Sequence, residues 1–226
     1  MRERPILFSG PMVRAILAGN KTQTRRTNGL AYFSSPDNDP DGWCCARVTD
    51  GHAYMVYENS PHERAVPCPY GQPGDRILCG GDLLYVRETW AAPHAYDHLP
   101  PRMIPRDAPI HYAATEDRGD LLWRPSIHMP RWACRLVLEI TRVRVERLQQ
   151  ISDADCWAEG IEEYDGLLDE AEICRLAKAM GRSIEDPQPI FAALWEQING
   201  AGAWDANPWV WVMEFRRTVA RQDCKE

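Results

Sequence analysis

The chain has 226 residues, of which 44% are hydrophobic, and a formal net charge of −7. This composition predicts a packed core in one large domain, or in one domain with an inserted piece, and the acidic average argues against broad, non-specific binding to a phosphate backbone. No stretch reaches the roughly 18 apolar residues of a membrane span, and no secretory signal is expected. We expect a cytoplasmic protein with no membrane partner.

The first elements are a strand, a helix and a second strand. Residues 5–8 are apolar, and a helix is predicted from Ser9 to about Ala18, where Gly19-Asn20 is a stop signal. β-Branched residues at 22–26 favour the second strand. Lys, Thr and Arg side chains are concentrated at this helix-to-strand junction, which is therefore a candidate functional site. The alternative is an exposed charged strand.

Turn-rich loops and short strands alternate in the middle of the chain. Pro, Gly, Asn and Asp are dense in three predicted loops, at residues 27–43, 67–75 and 91–109. Asp50-Gly51 is a hairpin signal between two β-like segments. The predicted strands cover residues 45–48, 53–57, 83–88 and 110–113.

The strongest strand signal lies at residues 134–148. Leu136, Leu138 and Ile140 alternate with other residues, and Val143 and Val145 continue the alternation in the opposite phase. This slip of one residue predicts a β-bulge or bend near Thr141-Arg142, of the kind that curls a sheet towards a barrel.

The last third is predicted to contain three helices and a final strand. Ser152 is a helix N-cap at the start of a helix that reaches about Glu159. A second helix covers residues 167–180, and a third ends at Asn199-Gly200. The strand at 209–216 is apolar on both faces, as a central strand is. This order predicts an α+β fold with a curled, mostly antiparallel sheet and helices packed on one side.

The eight cysteines of a cytoplasmic chain predict thiols rather than disulfides, and no metal or cofactor is expected. Adjacent cysteines chelate poorly and no Cys-x2-Cys pair occurs. The alternative is a zinc site in one region that contains Cys44, Cys45, His52, His62, Cys68 and Cys79. A Gly-rich phosphate loop, a nucleophile elbow and a His-Glu-x-x-His motif are absent from the sequence.

Several stretches together resemble the ASCH domain of the PUA-like superfamily. They are Ile16-Leu17-Ala18-Gly19-Asn20-Lys21-Thr22-Gln23-Thr24-Arg25-Arg26, then Gly74-Asp75 leading into Val86-Arg87-Glu88-Thr89-Trp90, and the final Trp-Val-Trp-Val-Met-Glu-Phe strand. A further stretch, Trp123-Arg124-Pro125-Ser126-Ile127-His128-Met129-Pro130-Arg131-Trp132, is similar to the longer ASCH proteins of bacteriophages and prophages. The resemblance covers most of the chain, least clearly residues 30–66 and 91–120.

The resemblance implies a PUA-like curled antiparallel β-barrel with helices packed on one side. Residues 1–226 would form a single domain, with a β-hairpin and loop insertion near 27–73 and a helical insertion near 152–200. Family members are thought to bind RNA or modified nucleobases, and small bacterial members are amidohydrolases that act on N4-acetylcytidine. Their proton acceptor, nucleophile and proton donor correspond to Lys21, Thr24 and Glu159.

The first functional hypothesis is a module that binds RNA, single-stranded nucleic acid or a modified nucleoside. Aromatic residues would stack on a base while Arg side chains contact phosphate or base edges, although the Trp residues could equally fill the core with the Arg residues outside. The alternatives are an amidohydrolase of an acylated nucleoside and a phage structural or host-interaction protein. The expected ligand contacts are Thr22, Arg25, Arg26, Arg87, Glu88, Trp123, Arg124, Ser126, His128 and Arg131.

Catalysis places one geometric condition on the Lys-Thr pair. A Thr hydroxyl needs a base to remove its proton, and a Lys can act as one if burial and nearby cations such as Arg25 and Arg26 lower its pKa. On a regular strand, Lys21 and Thr24 would face opposite sides. Lys21 must therefore lie in the turn before the strand. Glu88 is a rival for the role of the acid.

Overall fold

A computed structural model of the chain describes residues 2–58, 60–74, 81–117 and 119–218. This part contains five α-helices, namely α1 (Gly10–Ala18), α2 (Ala31–Ser34), α3 (Asp153–Ala158), α4 (Glu170–Met180) and α5 (Pro187–Asn199). Its ten strands are β1 (Glu3–Leu7), β2 (Gln23–Arg26), β3 (Trp43–Thr49), β4 (His52–Tyr57), β5 (Glu63–Pro67), β6 (Leu83–Arg87), β7 (Trp90–Ala91), β8 (His111–Tyr112), β9 (Val137–Arg147) and β10 (Trp209–Thr218). The fold is α+β.

The main sheet has five strands in the order β1-β6-β9-β10-β2. Only the β1–β6 pair is parallel, so the sheet is mostly antiparallel. Within the described residues it does not close into a barrel, and β1 and β2 are its two edges. Arg26 Nη2 on β2 donates a hydrogen bond of 2.9 Å to the Leu7 carbonyl of β1, so this side chain bridges the two edges.

The phase slip in β9 is a β-bulge, as the sequence predicts. Glu214 pairs with Arg142 while its neighbour Phe215 pairs with Ile140, which leaves Thr141 without a partner in the ladder. A bulge of this type bends its strand and increases the local twist. Because of this extra residue, the apolar side chains before the bulge (136, 138 and 140) and after it (143 and 145) face the same apolar core.

Two apolar cores lie on opposite faces of the main sheet. The first core contains Ile6, Val13, Leu84, Leu138 and Met213, among others. The second contains Leu148, Cys156, Leu176, Phe191 and Val212, and joins the sheet to α3, α4 and α5. Since β10 contributes side chains to both cores, it is the interior, covered strand that its sequence predicts.

Two smaller sheets are attached to this frame. The hairpin predicted at Asp50-Gly51 joins β3 to β4, and both residues have positive φ (49° and 72°), as a tight hairpin turn of the type I′ class requires. The sequence prediction missed β5, which pairs with β4. It also missed β7, which pairs with the short strand β8.

Two predicted helix boundaries are confirmed. Helix α1 ends at Ala18, and its C-cap Gly19 has a φ of 88°, the left-handed conformation. The Ser152 side chain caps α3 by accepting a hydrogen bond from the Asp155 amide. The predicted loop at 27–43 contains α2, whose Phe33 is buried. Asp75 of the Gly74-Asp75 pair lies outside the described residues.

Candidate functional site

Lys21 and Glu159 meet where α1 passes into β2 and where α3 ends. The two residues form an isolated antiparallel β-bridge, and Glu159 is the C-cap residue of α3. Because β2 begins at Gln23, Lys21 lies before its ladder. The geometric condition on the Lys-Thr pair is therefore met.

The Lys21 ammonium group is enclosed and is held by one residue. Its Nζ donates to Glu159 Oε2 at 2.7 Å and to the Glu159 carbonyl oxygen at 2.8 Å. Lys21 is only 2% exposed, and Nζ lies 5.6 Å from the centroid of the Phe8 ring. Burial lowers the pKa of Lys21 below its ordinary value; the Glu159 charge opposes this shift, and Arg26 and Arg25 add to it.

Arg25 lines the same cavity as Thr24, and its terminal guanidinium nitrogens are bound by carboxylates. Its Nη1 donates to Glu159 Oε1 at 3.0 Å, and its Nη2 donates to Glu146 Oε1 at 2.6 Å and to Asp155 Oδ2 at 3.1 Å. Burial would lower the pKa of Arg25, but the Glu159 and Glu146 charges raise it overall. Arg25 as a ligand contact stays a prediction, and a ligand there would compete with three carboxylates for its guanidinium group.

A second arginine extends this network along β9 and β10. Arg144 donates to Glu146, Asp155 and Glu214 at 2.9, 2.9 and 2.6 Å. Gln23 Nε2 donates to Asp155 Oδ1 at 2.8 Å. Burial would raise the pKa of Asp155, but the Gln23 hydrogen bond and the charges of Arg25 and Arg144 lower it overall. The network fixes the position of Glu159 from the side opposite Lys21.

A cavity of about 90 Å³ opens at the edge strand β2. Two of the three residues assigned to the reaction line it, Thr24 and Glu159. Lys21 is behind Glu159, in contact with its carboxylate. The remaining lining residues come from α1, the end of β2 and α5, namely Met12, Arg25, Arg26, Thr27, Asn28, Phe191, Leu194, Trp195, Ile198 and Asn199.

The backbone of Thr24 is fixed in the main sheet, whereas its hydroxyl group is available to a ligand. It pairs with Met213 of β10 and is 2% exposed. Among the described residues its hydroxyl forms no hydrogen bond, although the residue lines the cavity. Thr22, in contrast, is exposed, and its backbone binds Ala158 and Phe215.

Gly160 allows the Lys21 and Glu159 segments to approach one another. Its φ of 77° is left-handed. A Cβ atom at this position would lie 2.6 Å from the Ala15 Cβ and 3.0 Å from the Lys21 Cβ. Only glycine combines this backbone conformation with this contact, so Gly160 fixes the position of Lys21 relative to the end of α3.

The other expected ligand contacts lie away from this cavity, because none of them is among its lining residues. Glu88 is 1% exposed and accepts two hydrogen bonds of 2.9 Å from Arg135. Arg131 forms a bidentate ion pair with Glu3 at 2.7 and 3.1 Å. Arg124 donates to the Tyr96 carbonyl.

The remaining members of this group are on the same part of the chain. Arg87 donates to the Ile127 carbonyl, and its guanidinium lies 5.6 Å from the Tyr85 ring centroid. Trp123 and Ser126 are half-buried, and His128 is exposed. The structure therefore places these predicted ligand contacts outside the Thr24 cavity.

The sequence analysis missed several residues of this site. Asp155, Glu146 and Arg144 hold Arg25 and Glu159 in place, and Phe191 and Trp195 form the apolar wall of the cavity. The alternation in β9 signals which face Arg144 and Glu146 share. No local pattern in the sequence signals that α5 reaches β2.

No three His, Cys, Asp or Glu side chains are grouped to hold a metal ion in the described ranges. Cys79, one member of the alternative zinc site, lies outside those ranges. Of the described helices, none has the length and apolar character needed to cross a membrane.

Three comparisons with known proteins were made, and no family model, no curated protein and no solved structure matches this chain.

Proposed function

We propose that this protein is a PUA-like ASCH hydrolase that removes an acyl group from the exocyclic amine of a modified nucleobase. The observation that carries the proposal is the 2.7 Å contact between Lys21 Nζ and Glu159 Oε2, on a carboxylate that lines the same cavity as Thr24. The edge-to-edge contact of Arg26 with Leu7 supports a sheet curled as in a PUA-like barrel.

In the proposed reaction, the Lys21–Glu159 pair acts with its shared proton on Glu159. The charged pair is an ammonium and a carboxylate, and the neutral pair is an amine and a carboxylic acid. Burial lowers the pKa of Lys21 and so favours the neutral pair, while Arg25 beside Glu159 favours the charged pair. The neutral pair provides a base and an acid without any change in the total charge of the site.

The two steps of the reaction then return the site to its starting state. Thr24 Oγ1 attacks the amide carbonyl as its proton passes through the Glu159 carboxyl group to Lys21, and the Glu159 acid protonates the leaving amine as the C–N bond breaks. The products of this step are an acyl ester on Thr24 and the free amine. In the second step, Glu159 takes a proton from water, water attacks the ester to release the carboxylic acid, and the Lys21 proton returns to Thr24 through Glu159.

The cavity size limits which part of the substrate enters. Its volume of about 90 Å³ is smaller than the roughly 150 Å³ that accommodates a benzene ring. A small acyl group therefore fits beside Thr24, and the base would lie at the opening with Arg26 and Asn28. This arrangement favours acetyl over bulky acyl groups.

The second candidate is a binding module for the same kind of base. Arg26 favours it, because its Nε is buried without a hydrogen-bond partner among the described residues. The ion pairs that bind Arg25 and Arg131 count against a phosphate-binding surface built from all the predicted arginines.

The deciding experiment incubates the protein with a panel of N4-acylated cytidines and other modified nucleosides, followed by chromatography. We expect release of the free amine, a loss of about 10²-fold or more in Lys21→Met, Thr24→Val and Glu159→Gln, and partial activity in Thr24→Ser. Thr49→Val, an exposed change on the distant hairpin, is the matched control. Absence of turnover with saturable binding that Arg26→Ala removes would support the binding module instead.

A further inference from the structure

A second and larger cavity lies on the helical side of the molecule. Its volume is about 660 Å³, within the roughly 300–1,000 Å³ of most ligand sites, and it shares no lining residue with the Thr24 cavity. We name it the acidic groove. Its apolar floor is formed by Trp157, Ile161, Leu168, Ile173, Ile184 and Ile190.

All the charged side chains that line the acidic groove are carboxylates. They are Glu162, Asp165, Glu170 and Glu185. Glu162 accepts a hydrogen bond from the Asn20 side chain. The other three carboxylates form no side-chain hydrogen bond or ion pair with any described residue. Because unpaired like charges around an apolar floor repel one another, this rim is suited to an incoming cation.

Large apolar side chains remain accessible at this site. Trp157 is 43% exposed and Ile184 is 47% exposed. Accessible apolar surface with a polar rim is the usual anatomy of an interaction site. The carboxylate rim excludes an anionic occupant such as a nucleic acid backbone.

We propose that the acidic groove binds a basic amphipathic helix of a partner protein. The apolar face of the helix would fill the floor between Trp157 and Ile184, in the manner of helix-in-groove recognition. Lys or Arg residues beside that face would pair with Asp165, Glu170 and Glu185. The net charge of −7 would also steer a basic partner towards the protein.

The test uses a designed amphipathic peptide of Leu and Lys, about 15 residues long so that it can form a helix. Calorimetric titration of the full chain is expected to show saturable binding that weakens as salt is added. The groove variant, Asp165→Lys with Glu170→Lys and Glu185→Lys, should lose about tenfold or more in affinity. Its matched control reverses three exposed acids elsewhere, Asp37, Asp107 and Asp117, to Lys.

The controls separate the groove from general attraction between opposite charges. The control variant should retain the affinity of the unchanged protein, and a Lys-Gln peptide of equal charge should bind far more weakly than the Leu-Lys peptide. Ile184→Ser should also weaken binding, with circular dichroism reporting intact folding. Equal losses in both triple variants, equal binding of the two peptides, or no binding of the Leu-Lys peptide would each overturn the proposal.

Discussion

Lys21 Nζ lies 2.7 Å from Glu159 Oε2 and 2.8 Å from the carbonyl oxygen of the same residue, so one ammonium group fixes both the side chain and the backbone of Glu159. The backbone contact holds the end of α3 against the start of β2. The side-chain contact places a carboxylate at the cavity. A change at either residue is therefore expected to affect folding and activity together.

A double-mutant cycle should isolate the interaction between Lys21 and Glu159 from their contacts with other residues. We expect Lys21→Met and Glu159→Gln each to lower the free energy of unfolding by about 3 kcal/mol, because each removes a charged partner from a buried ion pair. The double variant should lose at least about 1 kcal/mol less than the sum of the single losses. Urea unfolding followed by circular dichroism measures these differences, and strictly additive losses would contradict a direct interaction.

Gly160→Ala tests the close approach that positions Lys21. The left-handed backbone and the contacts with Ala15 and Lys21 should together cost about 3 kcal/mol of stability. Gly181→Ala is the matched control, because its φ of 66° is also left-handed but a Cβ there meets nothing within 4 Å. It should cost only about 1 kcal/mol. Equal thermal destabilisation of the two variants would show that the close approach is unimportant.

The decrease in the free energy of unfolding at low pH should depend on Asp155. Its folded pKa is below the ordinary value of 3.8, so its stabilising contribution is complete above that value and disappears as the pH falls through the lower folded value. The difference in free energy of unfolding between the unchanged protein and Asp155→Asn should shrink below about pH 4. Unfolding measured from pH 7 downwards checks this.

Asp153→Asn is the reference for that experiment, because Asp153 is on the same helix turn and forms an exposed ion pair with Arg182. We expect a much smaller pH-dependent difference for this variant. If the two variants show the same pH-dependent difference in the free energy of unfolding, the Asp155 network does not control the loss of stability at low pH.

Glu88→Gln distinguishes the rival acid from Glu159. Loss of the charged bidentate contact with Arg135 should cost about 2 kcal/mol of stability, because both groups lose a charge-assisted partner. Turnover of an acylated nucleoside should then follow only the folded fraction of the protein. Abolition of turnover in fully folded Glu88→Gln, with Glu159→Gln still active, would reverse the assignment of the acid.

Local signals in the sequence predicted the elements that local interactions create. The phase slip predicted the bulge at Thr141, Gly19 predicted the end of α1, and Asp50-Gly51 predicted the hairpin. Two strands, β5 and β7, were missed, because they depend on pairing rather than on an apolar pattern of their own.

The ion-pair partners of the charged residues could not be predicted from the neighbouring sequence. In the sequence, Arg25 is next to cations and has no carboxylate nearby. Its partners Glu146 and Asp155 follow it by more than a hundred positions. Arg131 likewise pairs with Glu3, which precedes it by 128 positions. Whether an arginine is available to a ligand depends on these long-range pairs, and no pattern around the arginine itself reports them.

The unpaired Thr141 has a consequence for variation in chain length. Residues 136, 138 and 140 face the same core as residues 143 and 145 only because one residue is skipped between them. In a chain lacking Thr141, apolar and other residues would alternate without interruption, so residues 136, 138, 140, 143 and 145 would still face the core. Loss of Glu139 would instead move the side chains on one side of the deletion to the opposite face of the sheet. A one-residue deletion is thus tolerable at Thr141 or at its neighbour Arg142, and either deletion would remove the bulge from β9.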